Sequence, residues 1–141
     1  MTFRTFVCGG VVATALMWPG NELDAADKPK RGLELRASPQ VAFSPARIVL
    51  TGELKNVSNK DEDLFCPEVE WDWGDGTQST ASADCGPFDA ATSETKVRYV
   101  QQHTFDLPGR FKVVLRLKRG PQVLLSGTTT LTVRAGGNVM Y

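Results

Sequence analysis

Glu68-Val69-Glu70-Trp71-Asp72-Trp73-Gly74-Asp75-Gly76 is the stretch whose reading decides the fold. Val69, Trp71 and Trp73 share one parity and Glu68, Glu70 and Asp72 the other, which is the period of a half-buried strand. The strand runs into Asp75-Gly76, a dipeptide that accepts the positive φ values of a tight turn. If Asp75 and Gly76 are the two central residues of a hairpin, Gly74 faces Thr77 and, at the open end, Cys66 faces Cys85. Pro67 and Gly86-Pro87 stand as breaks just short of the cysteines.

Short alternating segments flank this hairpin on both sides. Leu33 to Ala37 alternates, and Pro39 and Pro45 confine Gln40 to Ser44 to an edge piece at most. Ala46 to Val57 places Ile48, Leu50 and Leu54 on one face. Gly52 interrupts that inward set, so a bulge or a large neighbour packed over it, such as a tryptophan, is expected. Asn56 to Asp63 is a polar loop, and Asn56-Val57-Ser58 has the form of a glycosylation acceptor. The first part of Thr77 to Thr95 returns along the Trp71 strand and the rest is loop. Lys96 to Phe105 reads as a strand with Val97, Tyr99 and Gln101 to one side. Leu107-Pro108-Gly109 turns the chain. Phe111, Val113, Leu115 and Leu117 then point inward and Arg110, Lys112, Arg116 and Lys118 outward. Val123 to Val133 closes the domain. About seven short strands without a helix-period segment predict an all-β, antiparallel sandwich.

The chain has 141 residues, an apolar share of 41% and no formal net charge. That bounds it to one domain with one core and offers no basic footprint for nucleic acid. Residues 1–26 read as a secretory signal. Arg4 opens it, Phe6 to Trp18 is its apolar run, and Leu23-Asp24-Ala25-Ala26 supplies small residues for cleavage. The run is shorter than the roughly 20 apolar residues that span a bilayer, and Cys8 lies too early for a lipid-attachment cysteine. The reading therefore divides the chain into a signal (1–26), a charged lead-in (27–32), a sandwich domain (33–134) and a Gly-containing tail (135–141). It predicts an exported protein, periplasmic, surface-bound or secreted, with no membrane span in the mature chain. Without Cys8, the pair Cys66 and Cys85 in an oxidising compartment reads as a disulfide. Zinc would need further Cys or His ligands, and His103 is the only histidine.

Trp71-Asp72-Trp73-Gly74-Asp75-Gly76-Thr77, then His103-Thr104-Phe105, then Pro108-Gly109-Arg110-Phe111 resembles the PKD domain (polycystic-kidney-disease repeat). That family's pattern is Trp-Asp-Phe-Gly-Asp-Gly, His-Thr-Tyr and Pro-Gly-x-Tyr before an alternating strand. Trp73 stands for the usual Phe, and Phe105 and Phe111 stand where tyrosines are common. Phe111 lacks the hydroxyl with which a corner tyrosine bonds back to the main chain, so packing alone must hold that corner. The resemblance implies an immunoglobulin-like sandwich serving as a binding, spacing or adhesion module. It also implies a structural role for His103.

No catalytic constellation or cofactor motif emerges. Asp72 points outward and Asp75 sits in a turn that favours Asp for its own backbone bonding, so neither reads as a glycosidase carboxyl. Ser79, Ser82 and Ser93 lack a nucleophile-elbow pattern. Asn59, Asp61 and Asp63 alternate oxygen ligands that calcium could use, but the twelve-residue EF-hand spacing is absent and a solvated acidic loop is the expectation. In an immunoglobulin-like sandwich the acidic Glu68, Glu70 and Asp72 lie beside the basic Arg110 to Lys118 strand. Cross-strand ion pairs, each of about 0.2–1 kcal/mol, are then expected to neutralise that face. The expected function is non-enzymatic: binding, adhesion or envelope assembly with an unknown protein or glycan partner. The alternatives are an inhibitor of an envelope hydrolase or protease, and a calcium-dependent structural spacer.

Overall fold

In a computed structural model, which describes residues 9–10 and 30–136, eight strands divide between two sheets according to where their apolar parity faces. The strands are β1 (Gly32–Ser38), β2 (Val41–Phe43), β3 (Ala46–Lys55), β4 (Glu68–Asp72), β5 (Gln78–Ala81), β6 (Arg98–Phe105), β7 (Gly109–Arg119) and β8 (Gln122–Arg134). One sheet has the order β1-β3-β6 and the other β2-β8-β7-β4-β5. All pairs are antiparallel except β2 with β8. Strands β1, β3 and β6 on one side, with β4, β7 and β8 on the other and β5 added beyond β4, is the partition of an immunoglobulin-like sandwich. Apart from residues 9–10, the expected signal (1–26) lies outside the described residues, as do residues 27–29 of the lead-in and 137–141 of the tail.

The core is built from the predicted parities. Ile48 and Leu50 of β3, Val113, Leu115 and Leu117 of β7, Leu131 and Val133 of β8, and Trp71 all sit in one buried cluster with Trp73 and Phe105. On β6 the inward set is Tyr99 and Phe105; Val97 is exposed just before the strand, which begins only at Arg98, and Gln101 is exposed within it, paired with Leu50. Two prolines bracket β2 and leave it three residues long at the sheet edge, as their missing N–H groups require. The polar loop after β3 contains a short 3₁₀ turn, Glu62–Leu64, which inserts Leu64 into the core.

Gly52 has a large neighbour packed over it, as its place in the inward set implies, but that neighbour is a leucine. Gly52 pairs regularly with Leu35 and Tyr99, without a bulge, and no tryptophan covers it. A Cβ there would lie 2.5 Å from Leu115 Cδ2 and 3.4 Å from Leu33 Cδ1, so the space belongs to leucines from the facing sheet and the neighbouring strand. The register shift in this sandwich falls instead between Leu117 and Lys118, where β7 meets β8. Gly52→Ala is expected to cost about 1–3 kcal/mol through overpacking, read as a lowered urea midpoint at unchanged m-value.

The central hairpin also differs by one residue from the expected register. Trp71 pairs with Ser79 and Asp72 with Gln78, and Trp73 N donates to Thr77 O at 3.2 Å. The loop is therefore Gly74, Asp75 and Gly76, with φ of 75° at Gly74 and 89° at Gly76. Two left-handed glycines flank the aspartate, which Asp75-Gly76 alone does not reveal. Gly74 has a second constraint, since any Cβ there would run into the Lys112 backbone carbonyl.

Candidate functional site

The Trp-Asp-Trp-Gly-Asp-Gly segment forms an aromatic ladder closed by a polar clasp. Because β4 alternates, Trp71 and Trp73 both face inward, and their rings stack at 5.2 Å with planes 3° apart. The His103 ring stacks on Trp73 at 4.2 Å, with planes 2° apart, and meets Phe105 edge-on at 4.8 Å. Phe105 then contacts Phe111 at 4.8 Å, so the corner that lacks a tyrosine hydroxyl is held by ring packing. Trp73 Nε1 donates to Ser79 Oγ at 2.9 Å. Gly74 N donates to Asp72 Oδ1 at 3.0 Å, and Thr77 donates to Asp75 Oδ1 from its backbone N at 2.9 Å and from its hydroxyl. His103 Nε2 and Asp75 Oδ2 lie 2.8 Å apart. A carboxylate can only accept, so the imidazole proton on this side belongs to Nε2.

These contacts bring Asp75, His103 and the two tryptophans together and give each a partner. Burial pulls the Asp75 carboxyl upward, but the bonds from Thr77 and His103 outweigh it and hold the group below its ordinary value. A depressed carboxyl stabilises the fold above its unfolded pKa, and that contribution is lost as pH falls through the lower folded value. Stability is thus expected to decline as pH drops below about 4. Asp75→Asn should flatten part of that acid limb in urea titrations between neutral pH and pH 3; an unchanged slope would contradict this assignment.

The second constellation is the far end of the same hairpin. The β4–β5 ladder ends at the Val69–Ala81 pair, and Cys66 and Cys85 are bonded beyond it with Cα atoms 6.3 Å apart. The disulfide is as expected, but not as the direct cross-strand pair that the Asp75-Gly76 turn implies. Pairing has stopped, and Cys66 adopts φ 51°. Cys85 anchors the segment leading to β6. Phe88 packs edge-on against Phe65 at 5.4 Å, and Asp89 organises a turn by accepting from Ala91 N at 2.9 Å. Beside the bridge lies a largely apolar cavity of about 300 Å³, bounded by Pro67, Val69, Ala81, Lys96 and Tyr99 among others. The buried Tyr99 hydroxyl has no partner, and burial raises its pKa. Nothing in the residue pattern announces this cavity, because its walls come from three separated segments.

The Asn59, Asp61, Asp63 loop is organised by an arginine. Arg31 Nη2 lies 2.9 Å from Asp63 Oδ2 and Arg31 Nη1 lies 3.8 Å from Asp61 Oδ2, while Asp61 Oδ2 also accepts from Ser58 N at 3.0 Å. Arg119 straps the loop from the other side, donating to the carbonyls of Asp63 and Phe65 at 3.0 and 2.7 Å. Among the described residues no three His, Cys, Asp or Glu side chains converge as a metal ion requires. Asn56 of the glycosylation-like triplet donates through Nδ2 to Lys30 O at 3.1 Å.

On the outer face of the larger sheet, ion pairing covers only part of the expected area. Glu70 Oε1 and Oε2 hold Arg116 at 2.8 Å and Lys118 at 3.1 Å, and Asp72 lies 3.9 Å from Arg116. Three acids along a short β4 cannot reach the first half of β7. Among the described residues Arg110, Lys112 and Arg134 make no ion pair.

No protein-family model matches the chain, and no curated protein matches it. Among solved structures, it is similar to a CARDB domain from Pyrococcus furiosus, crystallised in complex with di-metal ions. That match has a TM-score of 0.46 and 12% identity, over 76% of this chain and 94% of that one. The solution structure of the CARDB domain gives a TM-score of 0.45 and 14% identity, over 74% and 94%.

Proposed function

We propose that this chain is an exported, non-enzymatic module of the PKD type that binds a protein or glycan at the cell envelope. The observation that carries the reading is the saturation of its motif. The carboxylate and imidazole that a reaction would use are engaged with each other, Asp75 is further held by Thr77, and the nearest motif serine, Ser79, is committed to Trp73. Those bonds support a scaffold role for the motif, and a scaffold of this kind leaves its loops and outer faces for recognition. The Cys66–Cys85 bridge supports export, since such bonds persist in oxidising compartments. Among the described residues no helix is long and apolar enough to cross a membrane.

The test joins localisation to capture. The chain is expected in an exported fraction, shortened at its signal and without free thiols, and immobilised protein is expected to retain an envelope protein or glycan without altering it. Full-length chain with three free thiols, or turnover of the captured molecule, would overturn the reading. A second reading, inhibition of an envelope hydrolase or protease, is favoured by the segment that Cys85 and the Phe65–Phe88 contact hold in place. It predicts that Phe88→Ala relieves inhibition of the captured enzyme. The calcium-dependent spacer reading predicts a thermal shift with millimolar calcium, against which Arg31 already neutralises Asp63.

A further inference from the structure

We propose that the outer face formed by β2, β8 and β7 binds an anionic polysaccharide; this deepens, and rests on, the binding-module reading. The strand registers assemble the face. Val41 pairs with Thr132, and Thr132 with Arg110, which makes one row across three strands. Phe43 pairs with Arg134, Lys112 with Thr130, and Val114 with Thr128 in the neighbouring rows. Paired residues project to the same side of a sheet, and alternate residues along a strand do too. Phe43 is 63% and Val41 52% exposed, whereas the intervening Ala42 packs on the core. The patch therefore carries three unpaired cations, three threonine hydroxyls and an apolar rim, spread over about 10 Å across strands and about 13–20 Å along them.

The opposite sheet shows that this grouping is not a general property of the surface. Its outer face carries Glu34 with Arg36, Glu53 with Lys55, and Glu53 directly beside Arg98, so its charges are interleaved. On the β2-β8-β7 face the acids end at Asp72, two strands away from β8.

Each group on the patch suits a charged sugar chain. Arginine forks match carboxylate or sulfate oxygens, threonine hydroxyls both donate to and accept from sugar hydroxyls, and Phe43 with Val41 offers an apolar ledge for a ring face. An extended acidic peptide would instead pair along the main-chain edge of β2. The cations lie one and two strands inward from that edge, where only side chains are presented.

The experiment measures binding of the disulfide-bonded chain to heparin, polygalacturonate, neutral dextran and poly-glutamate. Retention by heparin alone identifies a sulfated source, and retention by polygalacturonate a carboxylated one. Dextran should not bind, and affinity should fall with added salt. Arg110→Gln/Lys112→Gln/Arg134→Gln is expected to weaken binding about tenfold or more, and Phe43→Ser a further few-fold, by the same scale. The equal-charge control Arg36→Gln/Arg47→Gln/Arg98→Gln should bind as the parent does. Equal weakening in the control, or tighter binding to poly-glutamate than to either glycan, would overturn the proposal. Absence of binding to both charged glycans would also overturn it while leaving the module reading standing, whereas cleavage of a glycan would overturn that reading itself.

Discussion

Trp73→Ala is expected to destabilise the protein by about 3–5 kcal/mol, the range for deleting a buried aromatic side chain from a packed core. Trp73 is 1% exposed and among the largest wholly buried side chains. It touches more than the hydrophobic cluster. Trp71 stacks on one neighbour contact and His103 on another, and its indole N–H satisfies Ser79. Truncation therefore opens a cavity, removes two ring contacts and loses the hydrogen bond to Ser79. Trp73→Phe, the residue usual in the family it resembles, keeps the stacking and loses the indole hydrogen bond, so it should cost far less. Urea unfolding monitored by circular dichroism separates the two; equal losses would mean that the hydrogen bond, not the ring, dominates.

Removal of the bridge in Cys66→Ala/Cys85→Ala is expected to cost roughly 3 kcal/mol, the chain-entropy value for a closed loop of about 20 residues. The sequence separation is 19, and the enclosed chain is the entire β4–β5 hairpin. β5 has a hydrogen-bonded neighbour on one side only, and its four residues are all exposed, so little besides the ladder to β4 and the bridge holds it. Loss of the bridge should free β5 and the apolar cavity beside it before the core opens. Hydrogen exchange should show its largest acceleration at Gln78–Ala81 in the variant, with β3 and β7 accelerated only by the global loss of stability. Uniform acceleration across all strands would instead place the bridge in the global unfolding unit.

The sandwich was legible because parity is a backbone property. Val69, Trp71 and Trp73, and likewise Val113, Leu115 and Leu117, had to share a face whatever their partners. The register of the central turn was not legible to the same degree. Asp75-Gly76 suits a two-residue loop, but the left-handed Gly74 moves the loop by one residue, since its approach to Lys112 is a contact between strands that lie far apart in sequence. Gly52 follows the same logic. Its need for space was visible, yet the identity of the neighbour, Leu115, depends on how the two sheets face each other. The self-neutralising charge pattern held only where β4 reaches. Five strand residues cannot cover the eleven of β7, and the remaining cations meet the threonines of β8.

A double-mutant cycle with Asp75→Asn and His103→Gln tests whether the Asp75–His103 contact serves the scaffold. Residues kept for chemistry are commonly neutral or stabilising when replaced, whereas a structural pair loses stability and couples. Both single variants are expected to be less stable than the parent, and the cycle to yield a favourable coupling of about 1 kcal/mol. Variants as stable as the parent, or more so, with no coupling would contradict a scaffold role for the contact.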